Sequence, residues 1–117
     1  MSSNIAMALV LLLNASRGDM HLPPFREDPV LSSRAQQRAE MMCAKRTFSH
    51  DNYLAAFEGS PYRWKGENLA QGYREARAVH QQLMNSPGHR ANILKPQYDS
   101  VGIGQACNIT VELFGGR

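Results

Sequence analysis

The chain has 117 residues, which is enough for one domain with one hydrophobic core and too short for two. Hydrophobic residues make up 43% and charged residues 20%, as in an ordinary globular protein. The formal net charge is +3, but basic residues such as Arg34, Arg38 and Arg90 are scattered along the chain with acidic residues between them, and no aromatic-basic motif accompanies them. The composition therefore predicts a single domain over residues 1–117, with a solvated basic surface and no nucleic-acid partner.

The first predicted element lies in an apolar segment, residues 5–13. This segment is too short to cross a membrane, which takes about 20 residues, so no transmembrane segment is predicted. It resembles the apolar core of a signal peptide, but no positive charge precedes it, as a signal peptide would require. A buried helix is the other interpretation.

A second helix is predicted from Asp28 to about Arg46. Asp28 fits an N-cap and Pro29 the first helical position. Residues at helical spacing on one face predict the side that packs against the core: Leu31, Ala35, Ala39, Met42 and Cys43. Cys43 and Cys107 either form a disulfide, which would stabilise the fold by about 4 kcal/mol, or are two small buried residues.

The middle of the chain predicts two more helices. Residues 53–57 favour a short helix, and residues 74–85 carry an apolar face at helical spacing. His80 lies on that face, and it is either a packed, hydrogen-bonded histidine or part of a functional site. His21 lies in a proline-rich loop, and we expect it to be exposed.

The C-terminal part predicts a β-hairpin. Residues 101–106 alternate as in a strand, residues 110–114 form a second strand, and a tight turn at Cys107-Asn108 joins them. Gly102 and Gly104 leave one face of the first strand without side chains. This bare face predicts the close approach of a helix or loop.

Short motifs that carry potential chemistry follow one another along the chain: Ser49-His50, Gly66-Glu67-Asn68, the run from Asn85 to Leu94, and Val101-Gly102-Ile103-Gly104. His89 follows Pro87-Gly88, interpreted as a rigid turn because Pro fixes φ and Gly accepts positive φ. A short apolar turn is predicted after it, over residues 90–94. If the motifs converge, two imidazoles and a carboxylate would form a metal or proton-transfer site.

In this order and spacing the motifs resemble a bacterial-type CAP domain, of the superfamily that includes cysteine-rich secretory proteins, insect antigen 5 and plant pathogenesis-related proteins. The resemblance covers about residues 9–114. It implies an α+β fold, the CAP α-β-α sandwich, in which helices flank a small, mainly antiparallel sheet with a strand near residues 66–70. It also places Leu12-Leu13-Asn14 and Arg17 in the first helix. We therefore interpret residues 3–17 as a buried helix ended by Gly18, and expect any signal peptide to have been removed.

The resemblance also implies a cleft with a tetrad of two His and two Glu. His50, Glu67 and His89 match three of the four, and the fourth position falls near Ser86, where no acid is present. The candidate cleft residues for ligand binding are His50, Glu67, His89, Ser86, Tyr62 and Trp64. The two aromatic residues among them either wall the cleft or are ordinary core or rim aromatics.

His50 and His89 are the candidate metal ligands, for Zn²⁺ or another divalent cation that is held weakly because a third strong ligand is missing. Glu67 would orient an imidazole or act as a base. Alternatively, Glu67 accepts hydrogen bonds from both histidines in a buried structural network. Asn68 and Asn92 are predicted to be structural, since Asn side chains bond to nearby backbone groups.

Two functions from different classes follow. The first is a secreted or cell-envelope binding module whose cleft takes a small ligand, lipidic or derived from the cell wall, with weak divalent-metal binding. The second is a metal-dependent hydrolase or protease with His50, Glu67 and His89 as catalytic candidates. The sequence contains no nucleophile elbow, which argues against a serine hydrolase, and no phosphate-binding loop or dinucleotide motif. Because the fourth acid of the tetrad is absent, we favour the first, non-enzymatic function.

Overall fold

A four-stranded mixed sheet separates two helical layers in the computed structural model, which describes residues 4–117. The strands are β1 (Arg26–Glu27), β2 (Trp64–Gln71), β3 (Ser100–Ala106) and β4 (Ile109–Gly116). Their order across the sheet is β1-β3-β4-β2; β1 is parallel to β3, and the other neighbours are antiparallel. The predicted α+β class and mainly antiparallel sheet are confirmed. The structure adds β1, which the sequence pattern does not predict.

The helices are α1 (Asn4–Asp19), α2 (Pro29–Lys45), α3 (Ala76–Met84) and α4 (Pro87–Ile93), with a short 3₁₀ helix over Tyr53–Phe57. α2 and the 3₁₀ helix pack on one face of the sheet, in a core that includes Leu31 and Val111. α1, α3 and α4 pack on the other face, in a core that includes Leu9 and Phe114. β4 supplies both cores because successive strand residues point to opposite faces. The predicted α-β-α sandwich is confirmed.

α2 begins and ends as the sequence predicts. The Asp28 side chain caps it by accepting hydrogen bonds from the amides of Val30 at 2.8 Å and Leu31 at 3.4 Å. Its end is marked by Arg46, which adopts a left-handed conformation with φ of 53°. The next amide, of Thr47, then donates to the carbonyl of Met42 at 3.0 Å, which satisfies a helix-end carbonyl.

α2 lies directly against β3, as the bare strand face predicts. A Cβ atom added to Gly102 would overlap the backbone of Leu31 and Ser32. One added to Gly104 would overlap the backbone of Ala35 and Gln36. The two glycines therefore set how closely α2 approaches the sheet.

α1 differs in two ways from the predicted buried helix over residues 3–17, of which residue 3 lies outside the described residues. First, only one face of α1 is buried, and Leu11 on the opposite face is 72% exposed. Second, the helix passes through Gly18, and His21 takes the left-handed position after it, with φ of 58°. The amides of His21 and Leu22 bond to the last turn of α1, so His21, exposed as predicted, replaces the expected glycine. Within residues 4–117, no helix is long and apolar enough to cross a membrane.

Arg17 connects α1 to the irregular segment that follows α4. Its side chain is buried and donates hydrogen bonds of 2.8–3.0 Å to four main-chain carbonyls, those of Pro23, Ile93, Lys95 and Tyr98. The guanidinium carbon lies 4.0 Å from the centroid of the Phe25 ring. Burial lowers the pKa of Arg17, while the nearby charge of Asp99 acts in the opposite direction.

The predicted turn at Pro87-Gly88 is wrong. Pro87 is the first residue of α4, and Gly88 lies inside that helix without a positive φ. The physical reason is that the first helical position does not need an amide hydrogen, so Pro starts a helix as readily as it forms a turn. The apolar turn predicted over residues 90–94 is thus the second half of α4.

A disulfide joins Cys43, near the end of α2, to Cys107, in the turn between β3 and β4. Their Cα atoms are 5.9 Å apart, within the usual range for such a bond. Cys107 is exposed and has a left-handed φ of 57° in the predicted tight turn. Of the two alternatives that the sequence leaves open, the structure shows the disulfide.

The contact of α2 with β3 predicts that Gly104→Ala lowers the free energy of unfolding by about 1–3 kcal/mol, because the new methyl group overlaps the helix backbone. Gly88→Ala is the matched control: nothing lies within 4 Å of the added Cβ, and alanine favours the helix by up to about 1 kcal/mol. Urea denaturation midpoints measure both. Equal shifts in the two variants would contradict the proposed contact.

Candidate functional site

β2 carries the site because two adjacent residues, Glu67 and Asn68, point to opposite faces of the sheet. Glu67 pairs in register with Leu113 and lies on the α2 side. Asn68 pairs with Glu112 and lies on the side of α3 and α4. One dipeptide thus connects both helical layers to the same point of the edge strand β2.

Arg38 of α2 binds the Glu67 carboxylate with both arms of its guanidinium. Nε lies 2.5 Å from Oε2 and Nη2 lies 3.0 Å from Oε1. The Glu67 side chain is fully buried and that of Arg38 is nearly so. The prediction that Arg38 belongs to a solvated basic surface is therefore wrong. The sequence carried a signal for this, since Arg38 falls within the apolar face of α2, between Ala35 and Ala39.

The same arginine also holds the loop that carries His50. Arg38 donates to the carbonyls of Ser49 and Asp51, each at 3.3 Å, on either side of His50. His50 Nδ1 lies 2.9 Å from Glu67 Oε1 and donates to it, because the carboxylate is the acceptor. The His50 side chain is 56% exposed. Its Nε2, which has no hydrogen-bond partner among residues 4–117, is the nitrogen available to a ligand.

His89 lies on α4, and Glu67 does not bridge it to His50. No hydrogen bond within the described chain joins the His89 ring to Glu67. Of the two bonds that the buried network would have, the structure therefore shows the one from His50 and not the one from His89. The pKa of His89 is lowered, chiefly by burial and additionally by the nearby charge of His50. The structure therefore brings His50 and Glu67 into direct contact and places His89 within electrostatic reach of His50.

Asn68 and Asn92 are structural, as predicted. The buried Asn68 amide donates to the main-chain carbonyl of His89 at 3.1 Å and to Glu112 Oε1 at 3.3 Å. Asn92 donates to Asn68 Oδ1 at 2.9 Å and to the main-chain carbonyl of Glu67 at 3.4 Å. These bonds fix α4, and with it His89, against β2.

Glu112 is a buried acid that the sequence analysis misses. It lies in the central strand β4, covered by helices on both faces, and its Oε2 has no hydrogen-bond partner within residues 4–117. Burial raises the pKa of Glu112 to about 7, while the hydrogen bond from Asn68 acts in the opposite direction. The position of this acid among the apolar residues Ile109, Val111, Leu113 and Phe114 was the sequence signal for it.

The remaining cleft candidates are more dispersed. Tyr62 is buried in the core, and its hydroxyl lies 2.5 Å from Asp28 Oδ2 at the start of α2, which matches the alternative of an ordinary core aromatic. Trp64 is 43% exposed at the start of β2. Ser86 is half-buried at the N-cap of α4, where its side chain makes no capping bond. A ligand-binding role for Trp64 and Ser86 stays a prediction.

His80 is the packed, hydrogen-bonded histidine that the first of its two interpretations describes. It is buried between α3 and α1, and its Nε2 lies 2.7 Å from the Ser16 hydroxyl. Burial lowers the pKa of His80. We therefore assign it to the core rather than to the site.

The donor set does not fit a tightly held metal ion. Within residues 4–117, no group of three or more His, Cys, Asp or Glu side chains is arranged to hold one. Glu67 is already bonded to Arg38 and His50, which leaves the two imidazoles of His50 and His89 as donors. Stable protein zinc sites take three or four such ligands.

A protein-family model matches most of this chain. The family model of CAP, the cysteine-rich secretory protein family, matches residues 10–109. The chain belongs to the CAP family. The uncharacterized protein YkwD of Bacillus subtilis is 36% identical to this CAP domain over 118 residues, which cover 93% of this chain and 46% of YkwD. The chain thus spans about half the length of that relative.

Solved structures share the CAP fold. An extracellular protein containing an SCP domain from Bacillus anthracis superposes with a TM-score of 0.92 at 24% identity, over 97% of this chain and 40% of that one. An outer surface protein from Borrelia burgdorferi gives 0.87 at 23% identity, over 100% and 96% of the two chains. Venom allergen-like protein 4 of Schistosoma mansoni gives 0.81 at 15% identity, over 98% and 90%. At these identities the likeness establishes the fold.

The ion pair predicts that Arg38→Met is strongly destabilising, by about 3–5 kcal/mol, because it leaves the buried Glu67 charge without its partner. The double variant Arg38→Met with Glu67→Gln should recover part of this loss. Arg34→Met is the matched control on α2: Arg34 bonds to the carbonyls of Ala55 and Ala56, so its loss should cost about 1 kcal/mol. Chemical denaturation measures all three, and an Arg38 variant no worse than the control would contradict the assignment.

Glu112 predicts a pH dependence of stability. Its folded pKa of about 7 is raised above that of an unfolded glutamic acid, so its contribution is fully present below the unfolded pKa and is lost as pH rises to about 7. The loss is on the order of 3 kcal/mol. Glu112→Gln cannot ionise and keeps an acceptor for Asn68, so it should lack this loss. Urea denaturation of both proteins at about pH 4 and about pH 8, on either side of that window, tests this; parallel pH profiles would refute it.

Proposed function

We propose that this CAP domain is a secreted or cell-envelope binding module in which His50 and His89 contact a small ligand, and which binds a divalent cation such as Zn²⁺ weakly. The observation that carries the proposal is the pairing of both Glu67 oxygens with Arg38. This pairing supports a positioning role for the buried carboxylate rather than a chemical one.

A general base must accept a proton during the reaction. Protonation of Glu67 would weaken its charge-assisted bonds to Arg38 and leave a buried guanidinium without its counter-charge. Arg38 also holds the main chain on both sides of His50, so such a step would loosen the loop as well. These contacts support a binding site over a catalytic centre.

The two histidines are suited to accept hydrogen bonds or to coordinate a cation. The Glu67 carboxylate bonded to Nδ1 of His50 fixes the tautomer of the ring and directs Nε2 outward, as carboxylates behind metal-binding histidines do. The lowered pKa of His89 favours its neutral form at pH 7, which has a free lone pair. Two imidazoles without a third strong ligand support weak binding.

The proposed location is supported by the descriptions of proteins with the same fold. One protein of the same fold is described as extracellular and another as an outer surface protein, which supports a secreted or envelope location. The ligand is proposed as a small molecule, lipidic or derived from the cell wall. The second candidate function is a metal-dependent hydrolase or protease; the carboxylate-backed His50 favours it, and the missing third ligand argues against it.

Calorimetric titration with zinc chloride tests the proposal. Weak binding is expected, lowered at least about tenfold by His50→Ala or His89→Ala. Affinity should rise with pH because zinc binds the neutral form of an imidazole. The exposed His21→Ala serves as control and should bind as the parent does.

Zinc binding unaffected by His50→Ala would contradict the two-histidine site. Zinc-dependent hydrolysis of a peptide or ester that is lost in His50→Ala would instead establish the hydrolase.

A further inference from the structure

The only tryptophan in the sequence lies at an exposed corner of the sheet, where β2 begins. Trp64 is 43% exposed, and Lys95 Nζ lies 5.2 Å from the centroid of its ring. The same ammonium lies 5.8 Å from the ring of the buried Tyr98, so it is held between two aromatic rings.

Three more cations lie close to Trp64 along the backbone, and strand alternation places the Lys65 side chain on the opposite face of the sheet. Arg63 and Lys65 flank Trp64 in the sequence, and both are exposed. Trp64 pairs in register with Gly116, and the Arg63 amide donates to the Gly116 carbonyl at 2.8 Å, which brings Arg117 to the same corner. We call the residues Arg63, Trp64, Lys65, Lys95 and Arg117 the Trp64 corner.

Four of the chain's 13 basic residues lie at this corner. Asp99 is the acidic neighbour, and its carboxylate already accepts bonds from the Ser100 hydroxyl at 2.7 Å and the Arg117 amide at 3.4 Å. The sequence has 13 basic and 10 acidic residues. When the four basic residues of the Trp64 corner and Asp99 are set aside, nine basic and nine acidic residues remain in the sequence. The formal net charge of the chain, +3, is therefore equal to that of this corner with Asp99. Basic residues that are scattered along the sequence are thus brought together in space.

We propose that the Trp64 corner binds an anionic glycan, a sugar polymer with carboxylate or phosphate groups. The indole offers a flat surface on which the C–H face of a sugar ring can stack, and Lys95 lies against it. Arg63, Lys65 and Arg117 lie along the adjacent edge of the sheet, where they can pair with acidic groups of a polymer that passes over this edge. Trp64 lies three residues from Glu67, about 10 Å along the strand, so this site is separate from the histidine pair.

The surroundings favour a glycan over a membrane or a nucleic acid. Trp64 is the one large exposed apolar side chain at this corner in the described chain; the others belong to α1, α2, the 3₁₀ helix and loops elsewhere. Binding in a membrane interface uses an apolar face made of several such side chains. Single-stranded nucleic acid stacks successive bases on several aromatic residues.

Tryptophan fluorescence tests the proposal, because Trp64 is the sole reporter and lies in the site. The chain is titrated with alginate oligosaccharides, which carry carboxylates, and with neutral dextran oligosaccharides, in buffer without divalent cations. Alginate should change the Trp64 emission, dextran should not, and added salt should weaken the alginate effect. The histidine variants should bind alginate as the parent does, whether or not the zinc proposal holds.

Charge variants separate a site from a general effect of net charge. Arg63→Gln with Lys65→Gln should weaken alginate binding about tenfold, and Lys95→Gln should weaken it as well. Arg74→Gln with Arg77→Gln is the matched control, since it removes two exposed charges elsewhere. No emission change with alginate, or an equal loss in the control, would overturn the proposal. Tighter binding to vesicles of phosphatidylglycerol or to oligothymidylate than to alginate would overturn it in favour of a membrane or a nucleic acid.

Discussion

A carboxylate buried beneath a helix needs a partner of opposite charge next to it. The ion pair of Glu67 with Arg38 meets this need, and the rest of the site depends on it. Arg38 can reach Glu67 because the side-chain-free face of β3 lets α2 lie close to the sheet. Having reached it, the same guanidinium binds the main chain on both sides of His50. The packing of a helix on two glycines thereby determines where an exposed histidine is held.

A second buried arginine plays the same part on the other face of the sheet. Arg17 binds main-chain carbonyls at and after the end of α4, much as Arg38 binds those of Ser49 and Asp51 after α2. Between the two arginines, Asn68 bonds to α4 and to Glu112. The irregular parts of the molecule are therefore held by polar side chains that reach them from helices and strands.

Features that depend on local sequence pattern were predicted correctly, whereas the buried charged residues were not predicted. The cap at Asp28 and the bare face at Gly104 follow from short-range rules, and both were found. Pro87 was misassigned because a proline fits a turn and a helix start equally well. Arg38 and Glu112 were missed since a charge is buried by elements distant in sequence, although each interrupts an apolar pattern. The resemblance of motifs supplied the order of the site residues, but it did not supply the arginine that binds the central carboxylate.

The disulfide determines what happens to the chain when a protease cuts it between the two cysteines. Cys43 and Cys107 are separated by 64 positions and close a ring that contains His50, Glu67 and His89. A protease that cuts one exposed turn of this ring, for example at Gly59 or Gly72, would leave two pieces that remain covalently attached. The pieces could separate only after reduction, so in an oxidising environment a nicked molecule keeps its three site residues on one connected framework.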